Sequence, residues 1–247
     1  MAGPMHIYGV HPVEELLQAA GGSVETVYYD NQAADRLQTV FERAGTHGIA
    51  CHNVDHQKLD GMAEGGNHQG VVARTIGFEY AALQGIIDAC DGADNAGVLV
   101  LDGVQDPHNL GAVLRTAAAV GFDGVVIPKD RAAPVTPTVV RTSAGCAFRI
   151  PVARVTNIAR TLETLKEARW WTVGTRMQDD PAPWDVDLDM KAAIVMGGEH
   201  RGMRRLVEET CDLYTSIPLA HGIDSLNVSA AASILAYEAK RQWETAG

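Results

Sequence analysis

Apolar and polar positions change rhythm along this chain, and the rhythm marks out two regions. VETVYYD, Val24 to Asp30, alternates and is rich in β-forming residues, which predicts a strand; Ile49 to Val54 and Gly70 to Ala73 predict two more. Pro12 opens a helix with Glu14 and Glu15 in its first turn, where the macrodipole favours acids, and Ala33 to Ala44 carries helical spacing stopped by Gly45 and Gly48. A short helix over Tyr80 to Ala89 and the loop DGADNAG follow, which places a boundary there: a first domain over 1–75, a linker over 76–95 and a second domain over 96–247. The second domain opens with VLVLDGV, Val98 to Val104, an apolar run of the kind found in strands buried on both faces. A helix over Leu110 to Val120 and strands at Gly124–Ile127, Trp171–Thr175, Ala192–Met196 and Leu213–Ile217 come next, before a long helix from Leu226 to Trp243. Strands alternating with helices predict an α/β protein whose mostly parallel sheet is covered on both sides.

Composition narrows the class. At 46% hydrophobic and 21% charged, the 247 residues are ordinary for a folded domain protein. No apolar run reaches the length of a membrane span, and MAGPMHIYGVHPVEELL lacks a basic region leading into an apolar one, so a cytoplasmic protein without a membrane partner is expected. Cys51, Cys90, Cys146 and Cys211 are far apart and form no CxxC pair, which predicts buried reduced thiols and no metal site. The net charge of -11 is concentrated early, with thirteen acidic and four basic side chains in residues 1–94. Between Asp130 and Glu163 there is no acid, whereas Arg131, Arg141, Arg149, Arg154 and Arg160 all fall there; sharing a face, they would bind phosphates, and otherwise they are a solvated surface.

Three strand-to-helix junctions hold the candidate chemistry. In LDGVQDPHNLGAVLRTAAAVG, Leu101 to Gly121, Asn109 is placed to cap a helix and Arg115 lies among alanine, valine and leucine. Loops at the carboxyl ends of parallel strands are where open α/β sheets bind ligands. In AAIVMGGEHRGMRRL, Ala192 to Leu206, a strand runs into Gly197, Gly198 and Glu199, and glycines there allow a ligand close to the backbone. In SIPLAHGIDSLNVSAAASILAYEA, Ser216 to Ala239, Ser225, Leu226 and Asn227 open the last helix. Singly, each has a plain structural reading: a cap, a helix-start acid, a packed small-residue face.

Together, in this order, they resemble the three motifs of the SpoU (TrmH-like) group of the SPOUT methyltransferases: an N…R block, a strand followed by G-x-E, and a strand followed by S-L-N-V-S. IYGVHPVEELL, HQGVVAR, IPKDRAA and PVARVTNIARTL extend the likeness over essentially the whole chain, most closely to the 23S rRNA guanosine 2'-O-methyltransferases of the group. The resemblance implies a small ribosomal-protein-like N-terminal α/β domain that binds the RNA substrate and a C-terminal SPOUT domain whose parallel sheet carries a deep trefoil knot. It implies S-adenosyl-L-methionine as cofactor, held around Thr175, Met196, Gly197, Gly198, Ile217, Leu219 and Leu226. It further implies a homodimer, RNA as partner through Arg141, Arg149 and Arg154, and Asn109, Arg115, Glu199, Ser225 and Asn227 as catalytic residues. Family proposals make the motif-one arginine the base; because a guanidinium is effectively never deprotonated, Arg115 reads better as a phosphate clamp and a stabiliser of developing oxyanion charge.

Two departures from the pattern stand out. His200 replaces the glycine that usually follows the motif-two acid, and the first domain is more acidic than an RNA binder needs. Competing readings are a tRNA ribose methyltransferase, which often lacks the N-terminal module, and a non-catalytic rRNA-binding assembly factor, which would not need all five catalytic positions. A dehydrogenase is disfavoured because no glycine fingerprint follows the first strand of either domain.

Overall fold

The structure is a computed structural model that describes residues 3–176, 180–198, 202–220 and 222–245. It divides into two compact units, Met1–Glu79 with Val135–Arg149, and Tyr80–Pro134 with Ile150–Gly247. The segment 76–95, expected as a linker, is instead split between them: Ile86, Ile87 and Cys90 of its helix are buried in the core of the second unit. Residues 135–149, expected in the second domain, fold with the first.

The first unit holds β1 (His6–Tyr8), α1 (Val10–Ala20), β2 (Val24–Tyr29), α2 (Gln38–Thr46), β3 (Cys51–Asn53), α3 (His56–Met62) and β4 (Val71–Thr75). Its sheet runs β1-β4-β2-β3, antiparallel except for the β2–β3 pair. The single helix predicted over Ala33 to Ala44 is two pieces. Asp30 accepts from the Gln32 amide and starts a 3-10 turn over Asn31–Arg36; the chain breaks at the buried Leu37, and α2 begins after it.

The second unit carries α4 (Leu83–Ala89), β5 (Ala96–Asp102), α5 (Pro107–Val120) and β6 (Gly124–Pro128). The chain then makes α6 (Pro137–Thr142) in the first unit and returns through β7 (Val152–Val155), α7 (Ile158–Glu167), β8 (Trp171–Thr175), β9 (Lys191–Gly197), α8 (Arg205–Thr210), β10 (Leu213–Thr215) and α9 (Val228–Thr245). The six strands pair in the order β10-β8-β9-β5-β6-β7, all parallel. Every residue of β5 and β6 is buried, which is why their sequences read as unbroken apolar runs. Val98, Val100, Ala193 and Val195 pack with Ile158, Leu162 and Leu165 of α7 in one cluster, and α5 and α9 pack on each other and against the sheet. Parallel pairing aligns the strand ends: Asp102 of β5 is in register with Gly197 of β9, and Thr175 of β8 with Thr215 of β10.

Two of the four cysteines differ from expectation. Cys90 and Cys211 are buried, but Cys51 and Cys146 are only half-buried, because β3 is an edge strand and the turn Cys146–Phe148 lies near the surface of its unit. None of the four is in a disulfide. Burial pushes the Cys90 thiol up to about 11, with Asp123 adding to it, and the Cys211 thiol up to about 12, with Asp212 adding to it. Among the described residues no helix is long and apolar enough to cross a membrane.

Candidate active site

A cleft of about 500 Å³ opens beyond the carboxyl ends of β8, β9 and β10, which is where an open parallel sheet presents its loops. Thr175, Met196, Gly197 and Gly198 line it from the strand ends. Ile217, Leu219, Ser225 and Leu226 line it from the segment before α9. Thr175 donates its hydroxyl to the Val195 carbonyl at 3.0 Å, tying the ends of β8 and β9 together.

The glycines have a reason other than ligand approach. A Cβ on Gly197 would sit 2.0 Å from the Gly202 carbonyl carbon, and one on Gly198 would sit 2.5 Å from the Gly103 carbonyl oxygen. The chain's own backbone occupies the space a side chain would take. Gly198 donates to the Asp102 carbonyl at 3.1 Å and accepts from the Gly202 amide at 3.1 Å, so Gly198 and Gly202 meet beside the end of β5. Glu199 and His200 lie outside the described residues.

The first motif departs from expectation at its cap. Helix α5 begins at Pro107, one turn earlier than predicted, because Asp106 accepts from the His108 amide at 2.9 Å and proline suits the first helical position. Asn109 is thereby released from capping. Its carboxamide oxygen accepts from Asn227 Nδ2 at 2.9 Å, which joins motif one to motif three. Asn227 in turn accepts from the Ser229 amide at 2.8 Å and the Ser229 hydroxyl at 2.6 Å, so it, rather than Ser225, caps α9. One helical turn pair further along, the Thr116 and Ser233 hydroxyls meet at 2.9 Å. Arg115 is exposed on α5, outside the apolar face formed by Leu110, Val113, Leu114 and Ala117, and it makes no hydrogen bond or ion pair among the described residues.

The arginines expected to share a face are divided. Arg141 and Arg149 belong to the first unit, Arg131, Arg154 and Arg160 to the second. Arg141 stacks on Tyr8 and bonds its hydroxyl, Arg149 pairs with Glu15 and bonds Gln18 at 3.1 Å, and Arg154 bonds the Lys129 carbonyl at 2.8 Å while lying over Tyr80. All three stay exposed, so each is held by neighbours with its charge still at the surface.

Sequence reading missed Arg176. It lines the cleft, grips Asp180 through two bonds of 2.9 and 2.6 Å, reaches Glu208 at 3.5 Å and stacks 3.6 Å over the Tyr214 ring. Asp180 keeps its guanidinium more firmly protonated than usual. Its position directly after Thr175, at a strand end on the ligand side of the sheet, was the available signal. Asp224 and Glu208 are further acids on the cleft wall that no motif marked.

A second polar cluster lies in the first unit. His56, Asp60 and His68 bring candidate metal-ligating atoms within 4.8 Å of one another, with Asp30 bonded to His56 at 2.9 Å. The Gly70 amide donates to His68 Nδ1 at 3.0 Å, which puts the proton of the neutral ring on Nε2, facing Asp60 at 3.2 Å. The buried ring thus presents an N–H to the cluster, the arrangement of a hydrogen-bonded core histidine.

Known proteins share this arrangement. The sequence model of the SpoU rRNA Methylase family matches residues 96–237, and that of RNA 2'-O ribose methyltransferase substrate binding matches residues 6–81. The 23S rRNA (guanosine-2'-O-)-methyltransferase RlmB of Bordetella pertussis is 43% identical over 244 residues, spanning 98% of this chain and 99% of that protein. The crystal structure of the SpoU methyltransferase AviRb from Streptomyces viridochromogenes in complex with AdoMet superposes with a TM-score of 0.80 at 25% identity, over 97% of this chain and 90% of that one. The A. aeolicus TrmH/SpoU tRNA modifying enzyme superposes with a TM-score of 0.57 at 26% identity, over 67% of this chain and 84% of that one. Second and third motif loops that meet at one cleft, matched family models in both halves and a near-full-length relative lead to one conclusion: the chain belongs to the SpoU rRNA methylase family.

Proposed function

We propose that this protein transfers the methyl group of S-adenosyl-L-methionine to the ribose 2'-hydroxyl of a guanosine in 23S rRNA, as a cytoplasmic homodimer and without a metal. The observation that carries the reading is the convergence of Thr175, Met196, Gly197, Gly198, Ile217, Leu219 and Leu226 on one cleft. Its volume falls within the roughly 300–1,000 Å³ of small-molecule sites. Its apolar wall of Met196, Ile217, Leu226 and Leu235 suits a flat heterocycle, while the strand-end backbone at Gly197 and Gly198 offers polar groups without side chains in the way.

The cofactor supplies an already activated methyl group, so the residues must align the hydroxyl, polarise it and exclude water. Asn109 and Asn227, bonded to each other at the junction of the first and third motifs, orient the ribose edge of the site. Arg115, exposed and charged on the same helix as Asn109, clamps the adjacent phosphate and stabilises the charge that develops on the 2'-oxygen. Glu199 and Ser225 belong to the same catalytic group. The first unit holds the RNA, with Arg141 and Arg149 as phosphate contacts there and Arg154 as another in the second unit. A deep trefoil knot in the second unit is part of this proposal; the placement of β9 between β5 and β8, with Gly198 bridged to Gly202 and packed beside Gly103, supports it. The dimer reading draws on α9, which leaves Ile234 40% and Tyr237 65% exposed on one side.

The test is incubation with labelled S-adenosylmethionine and unmodified 23S rRNA transcript, with methylation mapped by protection from alkaline hydrolysis. One protected guanosine is expected, with Arg115→Ala lowering the rate by about 10²–10³, the cost of removing one oxyanion donor. Labelling of tRNA in place of rRNA would move the substrate to tRNA. Silence on both, with no cofactor binding, would overturn the enzyme reading, and a 26.4-kDa species in sedimentation would overturn the dimer.

A further inference from the structure

We propose that Asp102 is a positioning residue that pins both ends of the cofactor loop, with Arg204 as its counter-ion. The inference rests on the proposed cofactor reading of the cleft. Asp102 is the last residue of β5, and its side chain is 0% exposed. Its main-chain carbonyl accepts from the Gly198 amide at 3.1 Å, at the start of the loop. Its carboxylate accepts from the Arg204 amide at 2.8 Å, just past the loop's other end, and from the Arg204 guanidinium at 2.8 and 2.5 Å. A single residue therefore holds both flanks, which the Gly198–Gly202 bridge also joins.

The two flanks are cleft wall. Gly197, Gly198, Gly202 and Met203 all line the cavity, whereas Asp102 and Arg204 stand behind it. A carboxylate removed from water is costly unless its lone pairs are filled, and here three donors from one residue fill them. Arg204 remains 53% exposed, so its guanidinium covers the buried acid from the solvent side. The same stretch of sequence carries the motif-two acid Glu199. The pin acts through the loop and touches neither the methyl donor nor the ribose.

The experiment compares the full-length protein with Arg204→Met and Arg204→Lys. Affinity for S-adenosylmethionine is measured by calorimetry, amide hydrogen exchange at Gly198 without cofactor, and methylation kinetics with both substrates varied. Arg204→Met is expected to weaken cofactor binding about tenfold, the scale of one lost hydrogen bond to a charged group. Its KM for the cofactor rises in step, kcat at saturation falls less than about threefold, and exchange at Gly198 accelerates; Arg204→Lys recovers part of the affinity. Unchanged affinity with unchanged exchange would overturn the pin. So would losses in kcat and affinity that merely track a reduced folded fraction by circular dichroism. Failure of the unsubstituted protein to bind the cofactor would overturn the cofactor reading, and exchange at Gly198 would still decide whether Asp102 and Arg204 hold the loop.

Discussion

An alanine at Gly197 has nowhere to put its methyl group. The Cβ would lie 2.0 Å from the Gly202 carbonyl carbon and 2.2 Å from the Met203 amide nitrogen, and both neighbours are backbone. Something must shift, and what shifts is the wall of the cleft. Gly197→Ala is expected to cost about 1–3 kcal/mol of stability, as overpacking does, and to remove most cofactor binding. Gly85, exposed in α4 with nothing within 4 Å of a built Cβ, gives the opposite sign: Gly85→Ala should stabilise by about 0.5–1 kcal/mol, because glycine's conformational freedom is lost on folding. Thermal melting of the two variants checks both, and a Gly197→Ala protein that melts and binds cofactor like the parent would refute the packing argument. Here the sequence was legible only in part. Two glycines after an apolar strand announced a close approach, but which atoms approach depends on Gly103 and Gly202, brought there by sheet order and the Gly198–Gly202 bridge, which no local pattern encodes.

Helices α5 and α9 pack side by side, and each begins at a motif. Two caps with similar chemistry should have different consequences. Asp106 accepts only from its own helix in the bonds seen here, so Asp106→Ala should cost about 1 kcal/mol of stability and leave methylation nearly intact. Asn227 caps α9 and also bonds Asn109, so Asn227→Ala should cost a similar amount and in addition lower kcat/KM well beyond what the lost stability explains. A double-mutant cycle with Asn109→Ala measures the coupling, and additive effects would break the link between the motifs. At this scale the alternation of strands and helices was readable because buried parallel strands and amphipathic helices leave strong periodicities. The exact helix starts were not, because proline at the first position and competing polar caps at Asp106, Asn109, Ser225 and Asn227 offer several local solutions. Tertiary partners choose among them.

For the molecule as a whole, the titrating groups that departed from their usual range fall into two opposed sets. The Asp30 carboxyl is lowered chiefly by the Gln32 amide and then by His56. Burial alone would raise Asp212, but the Thr172 amide and hydroxyl and Lys166 together outweigh it and hold it low; the Arg241 hydrogen bond does the same for Glu238 against its own burial. Groups with depressed folded values stabilise above their unfolded values, 3.8 for the aspartates and 4.5 for the glutamate, and that contribution is lost as pH falls below them. Cys90 and Cys211 behave in reverse. Their folded values, about 11 and about 12, lie above the ordinary 9.0, so the folded state favours the neutral thiol; the stability this brings is complete below pH 9 and drains away as pH rises toward 11 and 12. The melting temperature should therefore hold a plateau between about pH 5 and 8.5 and fall on both sides, in agreement with where linkage usually places the optimum. The two flanks are separable by mutation. Both cysteines lie in the second unit, and Cys90→Ala with Cys211→Ala should flatten the loss between pH 8.5 and 10.5 while leaving the acid flank unchanged. Differential scanning calorimetry across pH 3 to 10.5 reads the two flanks in one series. If the double variant loses melting temperature above pH 9 as steeply as the parent, the buried thiols are not what limits the alkaline side.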